Sequence, residues 1–137
     1  MHKSFILGVV FAIITGAALA SERGRDAYRK CKACHSVIAP DGDFIVRGGM
    51  VGPNLYGIAD RPAAAIDGYR YSKSLTQAGE MGLKWDKSSF IAFVQDPMIG
   101  FLREVTGDPK ARGRMGYALE DTQEINLIWD YLLKISE

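Results

Sequence analysis

The only two cysteines of this 137-residue chain stand at Cys31 and Cys34, in the stretch CKACHS, with His35 directly behind the second. Two thiols and an imidazole set that close can close a disulfide, cycle as a redox pair, supply part of a zinc site, or anchor a prosthetic group. A Cys31–Cys34 disulfide would close so small a loop that it constrains little of the unfolded chain. A thioredoxin-like pair belongs at a strand–helix junction of an α/β fold, and no alternating β pattern of useful length is present. Zinc needs four ligands, and the only other histidine is His2, in a segment read below as a leader.

C-x-x-C-H is also the sequence form of c-type haem attachment. Cysteines three apart at a helix end lie on one side of the chain, where both thiols can form thioethers to the vinyl groups of one porphyrin. The next residue then falls beneath the ring centre, where an imidazole Nε2 can bind iron. A second axial ligand must come from elsewhere, and a methionine there raises the reduction potential. Beyond the leader the methionines are Met50, Met81, Met98 and Met115. Met50 and Met81 sit in glycine-flanked turns, where an adaptable, partly exposed side chain is the plainer reading. Met98 follows a helix-ending proline and is either a core plug or a rival ligand. Met115, in ARGRMGYALED, lies in a glycine-rich loop free enough to bring a thioether to iron.

The elements that must position these groups are short. Residues 22–33 favour helix, with Ala27 and Tyr28 inward and the cysteines at its end. From His35 to Ile66, five glycines and three prolines break every candidate element. Irregular stretches of that length in a compact domain are usually functional and need something to pack on. Ser72 can cap a helix ending at Gly79, and Asp86 a second one stopped by Asp96-Pro97. The final helix carries the firmest signal: Asp121 and Glu124 resemble a capping box, and Ile125, Ile128, Trp129 and Leu132 fall at i, i+3, i+4 and i+7. The expectation is an all-α fold of about four short helices joined by long loops.

The first twenty residues read as a cleaved signal peptide (1–20), with basic His2 and Lys3, an apolar run from Phe5, and the small-x-small triplet Ala18-Leu19-Ala20. The rival is a retained anchor, since the uncharged run from Ser4 to Ser21 lies at the lower limit of a bilayer span. A helical pattern beginning at Glu22 would leave such an anchor no linker. Residues 21–137 then form one domain with a modest core. Without Lys3 the 17 basic residues become 16, matching the 16 acidic ones, so no basic excess points to nucleic acid.

Taken together these segments resemble a class I c-type cytochrome, closest to the bacterial cytochrome c2 and mitochondrial cytochrome c group. GRDAYRKCKACH resembles the family's opening helix, with Gly24 and Tyr28 ahead of the haem motif, and VGPNLYG resembles its G-P-N-L segment. The resemblance implies the cytochrome c fold wrapped around one haem c, covalent through Cys31 and Cys34. It implies His35 as one axial ligand, its Nδ1–H held by the Pro53 carbonyl. It favours Met115 over Met98 as the other, because Arg114-Met115-Gly116-Tyr117 matches a basic-Met-x-aromatic pattern. Arg61, Tyr71 and Trp85 match residues that hydrogen-bond or balance the haem propionates. The final helix should cross the first, with Ile128, Trp129 or Tyr131 meeting Gly24 and Tyr28. Residues 37–50 and 98–114 are longer than in the short mitochondrial pattern.

The implied function is a soluble, monomeric, periplasmic carrier of single electrons, not an enzyme, with no stable membrane insertion of the mature chain. Its partners would be respiratory or photosynthetic complexes, such as a cytochrome bc1-type complex and a terminal oxidase, reductase or reaction centre. A ring of Lys30, Lys32, Lys73, Lys110, Arg112 and Arg114 is the candidate docking edge. The alternatives are a haem protein with an open sixth position, acting as a small-ligand sensor or weak peroxidase, and a dedicated electron-entry partner of one enzyme.

Overall fold

A computed structural model describes residues 15–137. Most of the expected leader, residues 1–14, lies outside the described residues. Helix α1 (Thr15–Lys32) runs without a break through Ala18-Leu19-Ala20, where its side chains are exposed, and buries a face only from Gly24 onward. Arg29, Lys30 and Lys32 occupy its last turn, the end where the helix dipole favours cations.

The chain then makes an antiparallel hairpin, β1 (Val37–Ile38) and β2 (Phe44–Val46), with Val37 opposite Val46 and Ile38 opposite Phe44. This is the first departure from the sequence reading. Strands of two and three residues carry no legible alternation. The pairing is made instead by the turn, where Ala39 and Asp43 bond across Gly42, itself at φ 94°. Asn54 ties β1 to the segment behind it: its Oδ1 accepts from Ile38 N at 2.9 Å and its Nδ2 donates to Ile38 O at 2.8 Å.

Helix α2 (Lys73–Glu80) starts at the Ser72 cap, as expected, but runs through Gly79 to Glu80, with Met81 as its C-cap. Gly79 is kept for contact, since a Cβ there would overlap the Ala63 carbonyl. Helix α3 (Lys87–Gln95) opens on a complete capping box between Asp86 and Ser89. A helix beyond the four expected, α4 (Gly100–Thr106), forms inside the long segment 98–114, ending at Gly107 in the left-handed conformation. Its two glycines bound the helix instead of interrupting it. Helix α5 (Thr122–Ile135) is capped by Asp121, which accepts from the backbone N–H of Gln123 and Glu124. The Glu124 carboxylate is committed elsewhere, to Lys30 on α1 at 2.7 Å.

The core forms where α5 crosses α1 and α3. Ile125, Ile128, Trp129 and Leu132 are all buried, matching the helical spacing. A Cβ on Gly24 would lie 2.8 Å from both the Leu127 carbonyl and the Tyr131 Cβ, so the helices meet at a glycine. Tyr131 also faces Tyr28, with ring centroids 5.7 Å apart. Trp129, by contrast, packs on Phe90 of α3 at 5.2 Å. Trp85, Phe93 and Phe101 join α3 to α4 through an aromatic cluster.

Gly24→Ala should push α1 from α5 and cost about 1–3 kcal/mol, an overpacking penalty; denaturant unfolding that moves by less than about 0.5 kcal/mol would show that the crossing is not tight. Asp86→Ala should cost about 1 kcal/mol through the lost cap. Hydrogen bonds from Ser89 hold the Asp86 carboxyl below its ordinary range. A depressed folded pKa stabilises above the unfolded value and is lost on acidification. The gap between wild type and variant should therefore close as pH falls below about 4.

Candidate functional site

The end of α1 is wrapped by its own downstream loop. Cys34 and His35 donate their backbone N–H to the Cys31 carbonyl at 3.1 and 2.9 Å. Residues 48–52 then fold back over this turn, with Gly49 N donating to Lys32 O at 2.9 Å and Gly52 N to Cys34 O at 2.8 Å. A Cβ on Gly48 would overlap the carbonyls of Lys32 and His35, and one on Gly49 that of Ala33. The buried Ser36 hydroxyl completes the wrap, accepting from Gly48 N and donating to Gly49 O. Read from sequence, these glycines only break elements; their spacing behind C-x-x-C-H was the signal that they form a close cover.

His35 is buried, and its Nδ1 lies 2.8 Å from the Pro53 carbonyl oxygen. A carbonyl can only accept, so Nδ1 carries the proton and Nε2 keeps its lone pair. Burial lowers the His35 pKa, against the opposing pull of that hydrogen bond, which favours the neutral imidazole, the form able to bind a metal. Gly52 lies flat against the imidazole: a Cβ there would overlap Cε1, Nδ1 and Nε2.

His35 lines a cavity of about 450 Å³, the size range of small-molecule and cofactor sites. All eight residues expected at the site line it: Cys31, Cys34, His35, Pro53, Arg61, Tyr71, Trp85 and Met115. The remaining walls are largely apolar, with Leu55, Ile58, Leu75, Phe90, Phe93, Val94 and Leu119. Cys31 and Cys34 are not joined to each other in a disulfide, which leaves both sulfurs for bonds to a cofactor. An apolar chamber with two thiols and a neutral imidazole at one side and a thioether in its wall fits a covalently held haem.

Met115 is half-buried in a loop laid against residues 70–74. Arg114 Nη1 donates to Arg70 O at 3.0 Å, and Arg112 N donates to the Ser74 hydroxyl at 3.0 Å. Met98 does not line the cavity; it is exposed, and its backbone carbonyl accepts from Gly113 N at 2.7 Å. It is no core plug either, since the neighbouring Pro97 fills that position. Met50 and Met81 are well exposed, as expected.

Arg61 does more than line the wall. Its guanidinium donates to Tyr56 O at 2.8 Å and Asn54 O at 3.0 Å, bracing the segment that carries Pro53. Tyr71 accepts from Ile66 N at 3.3 Å and packs edge-on to Tyr69. Trp85 is buried, its backbone locked to Asp60 and Arg61.

Gly52→Ala should displace the imidazole from Pro53 and destabilise the protein by about 3 kcal/mol or more, combining overpacking with a lost buried hydrogen bond. Thermal unfolding checks this, and a shift of less than about 0.5 kcal/mol would contradict the contact described.

No protein-family model matches the chain. Cytochrome c2 of Rhodovulum adriaticum is 42% identical over 123 residues, spanning 89% of this chain and 94% of that protein. Cytochrome c-551 of Roseobacter denitrificans is 45% identical over 103 residues, spanning 75% and 73%. The crystal structure of cytochrome c2 from Rhodobacter sphaeroides superposes with a TM-score of 0.81 at 37% identity, covering 85% of this chain and 95% of that one. Similarity at that identity over nearly whole chains, joined to a chamber that fits covalent haem, makes this chain a member of the cytochrome c2 group of class I c-type cytochromes: electron carriers, not enzymes, with one haem c held through Cys31 and Cys34.

Proposed function

We propose that this chain carries single electrons through a haem ligated by His35 and Met115, working in the periplasm after cleavage behind Ala20. The haem supplies an iron centre that exchanges one electron. The protein's part would be to hold the His35 imidazole and the Met115 thioether in place beforehand, so that little needs to move when the charge changes. His35 is held by Pro53 and Gly52 on one wall, and Met115 by the Arg114–Arg70 strap on another. The observation that carries the reading is that Met115 alone among the four methionines beyond the leader lines the same cavity as His35. Arg61, Tyr71 and Trp85 would meet the cofactor's carboxylates, which must be paired or hydrogen-bonded if buried.

Support for an exported carrier comes from the leader-like sequence of residues 1–20. Its partners would be membrane-bound or periplasmic redox complexes of respiratory or photosynthetic type. They would be met through brief encounters whose on-rate depends on local charge. Lys30 is a poorer docking residue than its exposure suggests, because Glu124 already holds it.

The oxidised protein should show the weak far-red charge-transfer band of methionine–iron ligation. Met115→Ala should abolish the band and Met98→Ala should leave it intact. Loss in Met98→Ala alone would move the ligand, and no band in the wild type would sink the His/Met assignment.

A further inference from the structure

A second cavity, of about 440 Å³, lies between α1 and the β1–β2 hairpin, away from the cysteines. Its floor is the pair Tyr28 and Tyr131. Along one wall, Arg25, Arg29 and Lys32 stand at i, i+4 and i+7 on a single face of α1. The opposite wall is β2 and the residue after it, Ile45 to Arg47, supplied by the extra segment 37–50. Arg47 is exposed, and its guanidinium carbon sits 3.9 Å from the Phe44 ring centroid, a cation–π contact that limits its orientations.

Four cations thus surround one concavity, opposed within it only by Asp26. The ion pairs among the described residues are Lys30–Glu124 and Lys87–Asp130, so neither neutralises any of the four. In a chain of nearly balanced charge, 17 basic against 16 acidic residues, such a cluster is a local excess. Like charges gathered around a groove repel one another, and three of the four are guanidinium groups, whose planar forks suit oxyanions carrying several acceptor oxygens.

We propose that this groove is a binding site for a small multivalent oxyanion of the oligophosphate class. The hairpin is what makes it a site: without Arg47 and Ile45 the α1 cations would form an open stripe. Arg29 lines both this groove and the large cavity. An anion bound here therefore sits one side chain from the electron-carrying site and masks cations that would otherwise steer acidic partners. The assignment does not depend on which methionine binds iron.

The test is titration calorimetry of the haem-loaded protein with pyrophosphate at low ionic strength. Saturable one-to-one binding is expected, weakened about tenfold in Arg47→Gln, the loss of one charge-assisted contact. Asp26→Asn should tighten it, and Lys84→Gln, which removes the same charge at a distant exposed site, should leave it within about twofold. Equal weakening in Lys84→Gln and Arg47→Gln would mean that only net charge is felt, and would overturn the site, as would the absence of saturable binding to wild type.

Discussion

The site rests on one buried imidazole held on two sides. To serve as the haem ligand proposed for it, His35 would have to be neutral, present Nε2 and keep from rotating, although burying a polar ring is costly unless it is hydrogen-bonded. The Pro53 carbonyl settles the tautomer, and the bare Cα of Gly52 removes the space in which the ring could turn. Much of the neighbouring irregular chain serves that geometry. Gly48 and Gly49 close over the turn after α1, Ser36 clips them down, and Arg61 braces the carbonyls on either side of Leu55. Long loops are thus the means by which a small domain grips a ligand-bearing turn from several directions.

The helices supply the rigid frame for that grip. The α1–α5 crossing at Gly24 fixes the helix from which the cysteines project, and the Lys30–Glu124 pair spans the same junction near its end. Helix α3 lends Phe90 to Trp129 on one side and Phe93 to the cavity on the other, so core packing and the cofactor chamber share a wall. At Ala64, a wall residue in the left-handed conformation at φ 58°, the chain accepts local backbone strain beside the cavity.

Much of this was legible in the residues. C-x-x-C-H named the chemistry, the spacing from Ile125 to Leu132 named the buried face of α5, and Ser72 and Asp86 marked helix starts. What stayed hidden has physical reasons. The hairpin is too short for alternation and is made by its turn and by Asn54. Helix α4, seven residues between Gly100 and its cap Gly107, is too short to show a period. Glu124, placed for a capping box, gains more by reaching Lys30 across the helix crossing. Trp129 turns to α3 because Tyr131 already fills the approach to Gly24. Each of these outcomes depends on a neighbour distant in sequence, which local periodicity does not report.

The central claim is that His35 and Met115 would both hold the haem iron, leaving no place for an exogenous ligand. Adding carbon monoxide to the reduced protein at neutral pH tests it most directly. An unchanged Soret spectrum is the result expected of a carrier with His35 and Met115 in place; a prompt shift to a carbonyl spectrum would contradict it and turn the reading toward an open-site sensor or peroxidase.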